Sequence, residues 1–87
     1  MITRKITYHG NFNSDAVSLM YDITRKTEIT GEVKPIGPKE VQLNLEGDPA
    51  VIKLIQHQID RKVKEFITDK IVTQMPIQHY RGVTLLS

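Results

Sequence analysis

The sequence contains no cysteine and no tryptophan, and aromatic residues are few. Without cysteine the chain cannot form a disulfide framework, a thiolate metal site or a cysteine nucleophile. It has no run of about 18 apolar residues, and its beginning, MITRKITYHG, lacks the apolar region of a signal peptide. These absences predict a cytoplasmic protein that does not contact a membrane.

An excess of charge of one sign is also absent. The chain has 12 lysine and arginine residues against 10 aspartate and glutamate residues, a formal net charge of +2. The basic residues are scattered, which is too weak a pattern to predict binding to nucleic acid or membrane. A length of 87 residues suits one modest core, so we predict a single domain, residues 1–87.

The beginning of the chain predicts a strand followed by a helix. Residues 2–9 alternate along the strand, with a buried side of Ile2, Ile6 and Tyr8 and a solvated side of Thr3, Lys5, Thr7 and His9. Ser14 is the candidate N-cap of a helix from Asp15 to Lys26. The apolar face of that helix is predicted to contain Ala16, Leu19, Met20, Ile23 and Thr27.

The middle of the chain predicts a β-hairpin. Residues 32–36 form a short strand that Gly37 and Pro38 end. Residues 39–46, KEVQLNLE, alternate regularly, with inward Val41, Leu43 and Leu45 and outward Gln42 and Asn44. Because only a short turn separates the two strands, we expect them to pair with each other.

The last part of the chain predicts a second helix and two more strands. Asp48 and Pro49 suit the N-cap and the first position of the helix. Its buried face is predicted to contain Ile52, Ile55, Ile59, Val63 and Phe66, and its solvated face Lys53, Gln56, Asp60 and Lys64. Strands follow at residues 70–75 and 80–86, around a Pro76 that suits an edge or a bend.

The resulting order of elements, β-α-β-β-α-β-β, predicts the fold class. Two helices packed on one face of a mainly antiparallel sheet form a ferredoxin-like α+β sandwich. This fold supports many unrelated functions, so the fold alone does not identify the activity.

Four motifs give the chain a resemblance to the acylphosphatase family over nearly its whole length. The family's first loop, G-x-V-Q-G-V-x-F-R, aligns with residues 10–18 and keeps the leading Gly10 and the apolar character of Phe12 and Val17. The second motif, G-W-V-[KR]-N, aligns with residues 31–35. The third is matched by VQLNLEGDPAVIKLI, and the closing aromatic-x-Gly-apolar strand by residues 80–83. The resemblance implies a ferredoxin-like fold of the acylphosphatase type.

The resemblance also shows where this chain departs from the family. Acylphosphatases hold a carboxyl phosphate with backbone N–H groups and the loop arginine, and they position water with the asparagine of the second motif. Here the arginine position is Ser18 and the asparagine position is Pro35, so both functional side chains are missing. Asp15 would repel an anion or occupy the N–H groups itself. The implied anion-binding loop consists of Gly10, Asn11, Phe12, Asn13, Ser14 and Asp15.

These departures predict a catalytically inactive binding or interaction module with weak affinity for a phosphate-like anion at the loop. One alternative is an acyl-phosphate hydrolase with a relocated cation, supplied by Arg4 or Arg81 if strand pairing brings either one to the loop. A second alternative is a nucleic-acid or protein-binding domain that uses the open sheet face. That face lacks the aromatic platform on which RNA-recognition modules stack bases.

The remaining candidates for function carry weaker signals. The three histidines, His9, His57 and His79, lack the spacing of metal ligands, so we predict no metal site and no cofactor. Tyr80 and Ile77 are predicted to lie on an exposed terminal strand. An exposed edge of this kind can pair with a protein partner or with a second copy of the chain.

Overall fold

The computed structural model describes residues 1–86 as a five-stranded sheet with two helices on one face. The strands are β1 (Ile2–Gly10), β2 (Thr30–Gly37), β3 (Glu40–Gly47), β4 (Ile67–Met75) and β5 (Val83–Leu85). The helices are α1 (Ser14–Arg25) and α2 (Pro49–Lys62), and a 3₁₀ turn, Lys64–Phe66, follows α2. The predicted order of elements is confirmed.

The strands lie in the order β4-β1-β3-β2-β5. β1 pairs antiparallel with β3 on one side and with β4 on the other. β2 and β3 form the predicted hairpin, and the short β5 pairs parallel with β2. Because β4 and β5 lie at opposite edges, the connection between them, residues 76–82, has to cross the whole sheet.

The core lies between the sheet and the two helices. Ile6 lies opposite Leu43 and Tyr8 opposite Val41, so these side chains share the face that the helices cover. Burial of this apolar layer is the main stabilising contribution to the fold. The buried apolar residues are Ile6, Tyr8, Phe12, Ala16, Met20, Ile29, Val33, Val41, Leu43, Leu45, Ile52, Ile55, Ile59 and Val63.

The first residues of the two helices test the predicted caps. Asp48 caps α2 as predicted, since its carboxylate accepts a hydrogen bond from the Ala50 N–H at 2.8 Å. The prediction of Ser14 as the cap of α1 is wrong by one residue. Asn13 has the extended backbone of a cap, and its Oδ1 accepts from the Ala16 N–H at 2.8 Å.

The face that α1 buries is narrower than predicted. Ala16, Met20 and Thr24 are buried at a spacing of four residues, whereas Leu19 is 36% exposed. The prediction of Leu19 as a core residue is therefore wrong. The Thr24 hydroxyl fits into the apolar stripe because it donates a hydrogen bond to the Met20 carbonyl at 2.9 Å.

The C-terminal strands differ from the prediction in their bounds. β4 begins at Ile67, because the 3₁₀ turn ends α2 early and moves Phe66 off the helix. The prediction that places Tyr80 in the last strand is also wrong, since β5 contains only Val83–Leu85. Tyr80 belongs instead to the connection that crosses the sheet.

Candidate functional site

The first loop, α1 and the turn between β2 and β3 enclose a cleft of about 480 Å³. Ser18 and Pro35, which the motif alignment predicts to occupy the positions of the family's arginine and asparagine, both face this cleft although they are far apart in sequence. Gly10, Asn11 and Asp15 of the predicted loop do not line it. The lining residues are Phe12, Asn13, Ser14, Val17, Ser18, Pro35, Ile36, Gly37, Pro38, Leu85 and Leu86.

The lining of this first cleft is mainly apolar. Aromatic, aliphatic and proline side chains form most of its wall, and the polar contribution comes from Asn13 and the two serines, Ser14 and Ser18. No lysine or arginine lines it among residues 1–86. An anion in this cleft would therefore have no cationic side chain beside it.

Most of the backbone N–H groups at the start of the loop are already bonded within the protein. The Gly10 N–H donates to the Lys39 carbonyl at 3.0 Å, and the Phe12 N–H donates to the Pro38 carbonyl at 2.9 Å. These bonds tie the loop to the β2–β3 turn. Among residues 1–86, the N–H groups that remain for a ligand at the loop are those of Asn13 and Ser14, which line the cleft, and that of Asp15 beside it, since no helical carbonyl precedes them.

Gly10 occupies a position where only glycine fits. A Cβ added there would lie 1.7 Å from the Phe66 carbonyl oxygen, which is closer than any real contact. The same oxygen accepts a hydrogen bond from the Asn11 N–H at 2.9 Å. The leading glycine that the loop shares with the acylphosphatase pattern therefore has a packing role in this chain.

Neither candidate for a relocated cation lies near the first cleft. Arg4 is six residues from Gly10 along β1, a separation of about 20 Å. Arg81 precedes Gly82, whose carbonyl accepts from the Gly31 N–H at 2.9 Å. Gly31 and Arg4 both pair with Leu45, so both arginines lie at the end of the sheet opposite the loop.

The connection at residues 76–82 covers one end of the open sheet face. Glu46 is only 3% exposed there and accepts hydrogen bonds from the N–H groups of Gln78, at 2.6 Å, and Tyr80, at 3.0 Å. It also accepts from the Thr3 hydroxyl. The prediction of Thr3 as solvated is wrong because this cover buries it completely.

The electrostatics of the covered end follow from these contacts. Burial opposes the ionisation of Glu46, but the hydrogen bonds from Thr3 and from the backbone of residues 78–80 outweigh it and hold the pKa of Glu46 below its ordinary value. Burial, together with a hydrogen bond to Glu32 and the nearby negative charges, raises the pKa of Tyr80 to about 12. The sequence carries no local signal for this arrangement.

A second buried polar contact joins β1 to α2. The hydroxyl of the fully buried Tyr8 donates to Asp60 Oδ1 at 2.8 Å, and Lys70 Nζ donates to Asp60 Oδ2 at 2.6 Å. Burial, and then the hydrogen bond to Asp60 and its charge, raise the pKa of Tyr8. The prediction that places Asp60 on the solvated face of α2 is therefore wrong, because its side chain is only 31% exposed and has two partners.

The histidines are distributed over three separate parts of the molecule. His9 Nε2 lies 3.3 Å from Glu40 Oε1, and His79 lies in the connection across the sheet with a φ of 60°. Within the described residues, no three histidine, aspartate or glutamate side chains are placed to hold a metal ion. Over the same residues, neither helix has the length and apolar character required to cross a membrane.

No protein-family model and no curated protein matches the sequence. The fold is similar to a crystal structure of acylphosphatase from Bacillus subtilis, with 15% identity, a TM-score of 0.85 and 100% of both chains covered. It is also similar to an acylphosphatase from Coxiella burnetii, with 13% identity, a TM-score of 0.82, and 98% of this chain and 92% of that one covered.

A third similar structure is part of a larger protein. HypF of T. kodakarensis superimposes on all of this chain with a TM-score of 0.82 and 21% identity, and the match covers 12% of the HypF chain. At these identities the likeness establishes the fold and leaves the activity open. By its fold, the chain is an acylphosphatase-like domain of the ferredoxin-like α+β class.

Proposed function

We propose that this protein is a non-enzymatic, acylphosphatase-like binding domain with weak affinity for anions at its first loop. The observation that carries the proposal is the composition of the first cleft. Ser18 and Pro35 face it, no cationic side chain lines it among residues 1–86, and apolar side chains form most of its wall.

The chemistry of phosphoryl transfer supports this proposal. Catalysis of that reaction depends on positioning the reactants and on stabilising negative charge on the transferred group. A serine hydroxyl at position 18 offers neither the permanent charge nor the forked donors of a guanidinium. Pro35 has no side-chain amide and no N–H with which to orient a water molecule.

The remaining donors support weak anion binding. Two N–H groups at the first turn of α1, those of Ser14 and Asp15, favour negative charge through the helix dipole. The Asp15 carboxylate next to them opposes it. A site with donors but no cation would bind a small anion weakly, and the apolar wall would favour a ligand that is largely apolar.

The direct test is hydrolysis of benzoyl phosphate by the purified protein, compared with a blank and with an active acylphosphatase as the assay control. We expect a rate equal to the blank. Turnover that disappears in Arg4→Ala or Arg81→Ala would establish a relocated cation and overturn the proposal. Turnover that survives in both variants would also overturn it and would direct attention to another residue.

The binding part of the proposal is tested separately by titrating the ¹⁵N-labelled protein with inorganic phosphate and with benzoate. We expect benzoate to shift the amide signals of residues lining the first cleft more strongly than phosphate does. Phosphate should shift mainly Ser14 and Asp15, without reaching saturation at millimolar concentration. Tight phosphate binding, or shifts confined to other surfaces, would contradict the assignment of this cleft.

A further inference from the structure

A second surface, independent of the first cleft, is formed by the outer side of β4. β4 pairs with β1 along its whole length, from Met75 opposite Thr3 to Ile67 opposite Gly10, and it is the last strand of the sheet within residues 1–86. In that part of the chain, its outward N–H and C=O groups therefore have no neighbouring strand. We call this row of backbone groups, Ile67–Met75, the β4 edge.

The β4 edge is protected from pairing near its start, where the register with β1 shifts between Ile67 and Asp69 and the Lys70 N–H donates to the Asp69 carboxylate at 2.8 Å. The rest of the strand has few protecting features. β4 is nine residues long, contains no proline, and carries two charged residues, Asp69 and Lys70. Near its middle, Ile71 is 50% exposed and Val72 is 44% exposed, on opposite faces of the strand. A strand of this length with exposed apolar residues is suited to accepting another strand.

Basic side chains flank the β4 edge on the face that carries the helices. They line a cleft of about 420 Å³ between α2 and β4, which we call the basic cleft. Arg61 and Lys64 are exposed there, and the ion pairs found within residues 1–86 involve neither of them. The lining residues are His57, Asp60, Arg61, Lys64, Ile67 and Lys70.

The acidic residue in the basic cleft does not balance these charges. Asp60 already accepts hydrogen bonds from Tyr8 and from Lys70, so its charge is offset by the Lys70 ammonium group. Lys62 adds a further exposed cation in an adjoining cleft, where Glu65 also lies, so that three cations, Arg61, Lys62 and Lys64, outnumber one carboxylate there. The surface next to the β4 edge is therefore positive, which favours an acidic ligand.

We propose that the β4 edge and the basic cleft bind an extended, acidic segment of a partner protein, which adds to the sheet as a sixth strand. The main chain of the segment would pair with the β4 edge. Its acidic side chains would contact Arg61 and Lys64 on the helix-bearing face, and its apolar side chains would cover Ile71 on the open face. Because side chains alternate along a strand, a sequence of alternating acidic and apolar residues satisfies both faces.

A second copy of the chain fits this surface less well. Antiparallel pairing of two β4 strands about a two-fold axis at Ile71 would bring the Lys70–Asp60 ion pairs of the two copies together, with the Lys70 Cα atoms about 8 Å apart. It would also place Arg61 and Lys64 of both copies on the same face. Like charges gathered in this way oppose association, whereas an acidic segment is attracted.

The test uses a capped seven-residue peptide of alternating valine and glutamate, titrated into the ¹⁵N-labelled protein. We expect saturable binding, amide shifts centred on β4, and slower hydrogen exchange of the outward β4 amides. A peptide of alternating valine and lysine should not bind. In the variant Arg61→Glu/Lys64→Glu, the affinity for the glutamate peptide should fall by about tenfold or more.

A matched variant controls for net charge. Lys34 and Lys39 lie on β2 and in the β2–β3 turn, with two strands between them and β4. Lys34→Glu/Lys39→Glu changes the net charge by the same amount and should keep the affinity within about twofold. An equal loss of affinity in both double variants would show that the effect comes from the overall charge of the protein and would overturn the proposal.

Three further outcomes would also overturn it. The first is the absence of saturable binding by the glutamate peptide. The second is a doubling of mass with concentration in sedimentation, together with β4 shifts in the protein alone, which would assign the edge to a second copy. The third is displacement of the peptide by polyphosphate when the peptide has not protected any β4 amide from hydrogen exchange. That result would mean that the surface binds anions through its basic side chains without pairing of strands.

Discussion

At the scale of single residues, Ser18 and Pro35 determine which chemistry the first cleft supports. Both face the same cleft as Phe12 and the first turn of α1, so the fold brings together two positions that are 17 residues apart in the sequence. The side chains at those positions carry no charge and no amide. Whether the cleft lacks hydrolytic activity because of these two side chains is therefore testable by substitution at the two residues.

The variant Ser18→Arg/Pro35→Asn is expected to hydrolyse benzoyl phosphate about 10²-fold faster than the wild type or more, because it returns a cation and a water-orienting amide to the cleft. Initial rates of the wild type, both single variants and the double variant provide the comparison. The N–H groups of the loop are largely bonded within the protein. If the double variant folds and shows no gain in hydrolysis, the backbone of the loop is not arranged for catalysis.

Gly10 lies where any side chain would clash with the backbone of Phe66. Gly10→Ala should lower the free energy of unfolding by about 2 kcal/mol or more, since a Cβ would lie 1.7 Å from the Phe66 carbonyl oxygen. Gly37→Ala is the matched control, because a Cβ there meets nothing within 4 Å. Denaturant unfolding measures both. A cost for Gly10→Ala as small as that of the control would contradict the close approach.

At the scale of elements, the start of α1 distinguishes between two neighbouring candidates for the cap. Asn13 accepts the hydrogen bond from Ala16, and Ser14 is already helical. Asn13→Ala should therefore cost about 1 kcal/mol of stability, and Ser14→Ala much less. The midpoints of urea unfolding show which of the two variants is less stable. The reverse order would restore Ser14 as the cap.

The packing of α1 and β3 is tested by two leucines that sequence alone assigned to the core. Leu43 is completely buried, whereas Leu19 is 36% exposed. Leu43→Ala should cost about 2–5 kcal/mol, and Leu19→Ala less than about 1 kcal/mol. Equilibrium unfolding of the two variants supplies the comparison. Equal losses would mean that α1 rests on the sheet with a different face.

At the scale of the whole molecule, the carboxylate of Glu46 anchors the middle of the connection across the sheet. Glu46 joins β3 to residues 78 and 80 and to Thr3 of β1, so three separate parts of the chain depend on its charge. The stability of the fold should therefore depend on the ionisation of Glu46.

The sign of that dependence follows from the direction of the shift. The pKa of Glu46 is lower in the folded protein than its ordinary value of 4.5, so its contribution is fully present above that pH. It is lost as the pH falls from about 4.5 through the folded pKa. We expect the midpoint of thermal unfolding to decrease over this range in the wild type and to change less in Glu46→Gln. Parallel pH profiles would contradict this role.

The two surfaces proposed as binding sites belong to different parts of the molecule. The first cleft lies between α1 and the β2–β3 turn, and the basic cleft lies between α2 and β4 at one edge of the sheet. They share no lining residue. Substitution at one site should therefore leave binding at the other unchanged, as expected for well-separated sites.

The sequence by itself determined the order of elements, the β2–β3 hairpin, the cap and start of α2, and most of the apolar core. These features depend on local spacing, because alternation at Val41, Leu43 and Leu45 and a cap at Asp48 are set by neighbours in the chain. The alignment of Ser18 and Pro35 with the family's arginine and asparagine positions rests on the motifs alone and stays a prediction.

Only the tertiary structure decided which residues meet over long distances. The burial of Thr3 and Glu46 requires residues 76–82 to cross the sheet, and the partial burial of Asp60 accompanies its contact with Tyr8, which is 52 residues away in the sequence. The free edge of β4 and the distance of Arg4 from the loop follow from strand order and register. Long-range pairing leaves no periodic signal in the sequence, because hydrogen bonds between distant strands and loops impose no spacing on neighbouring residues.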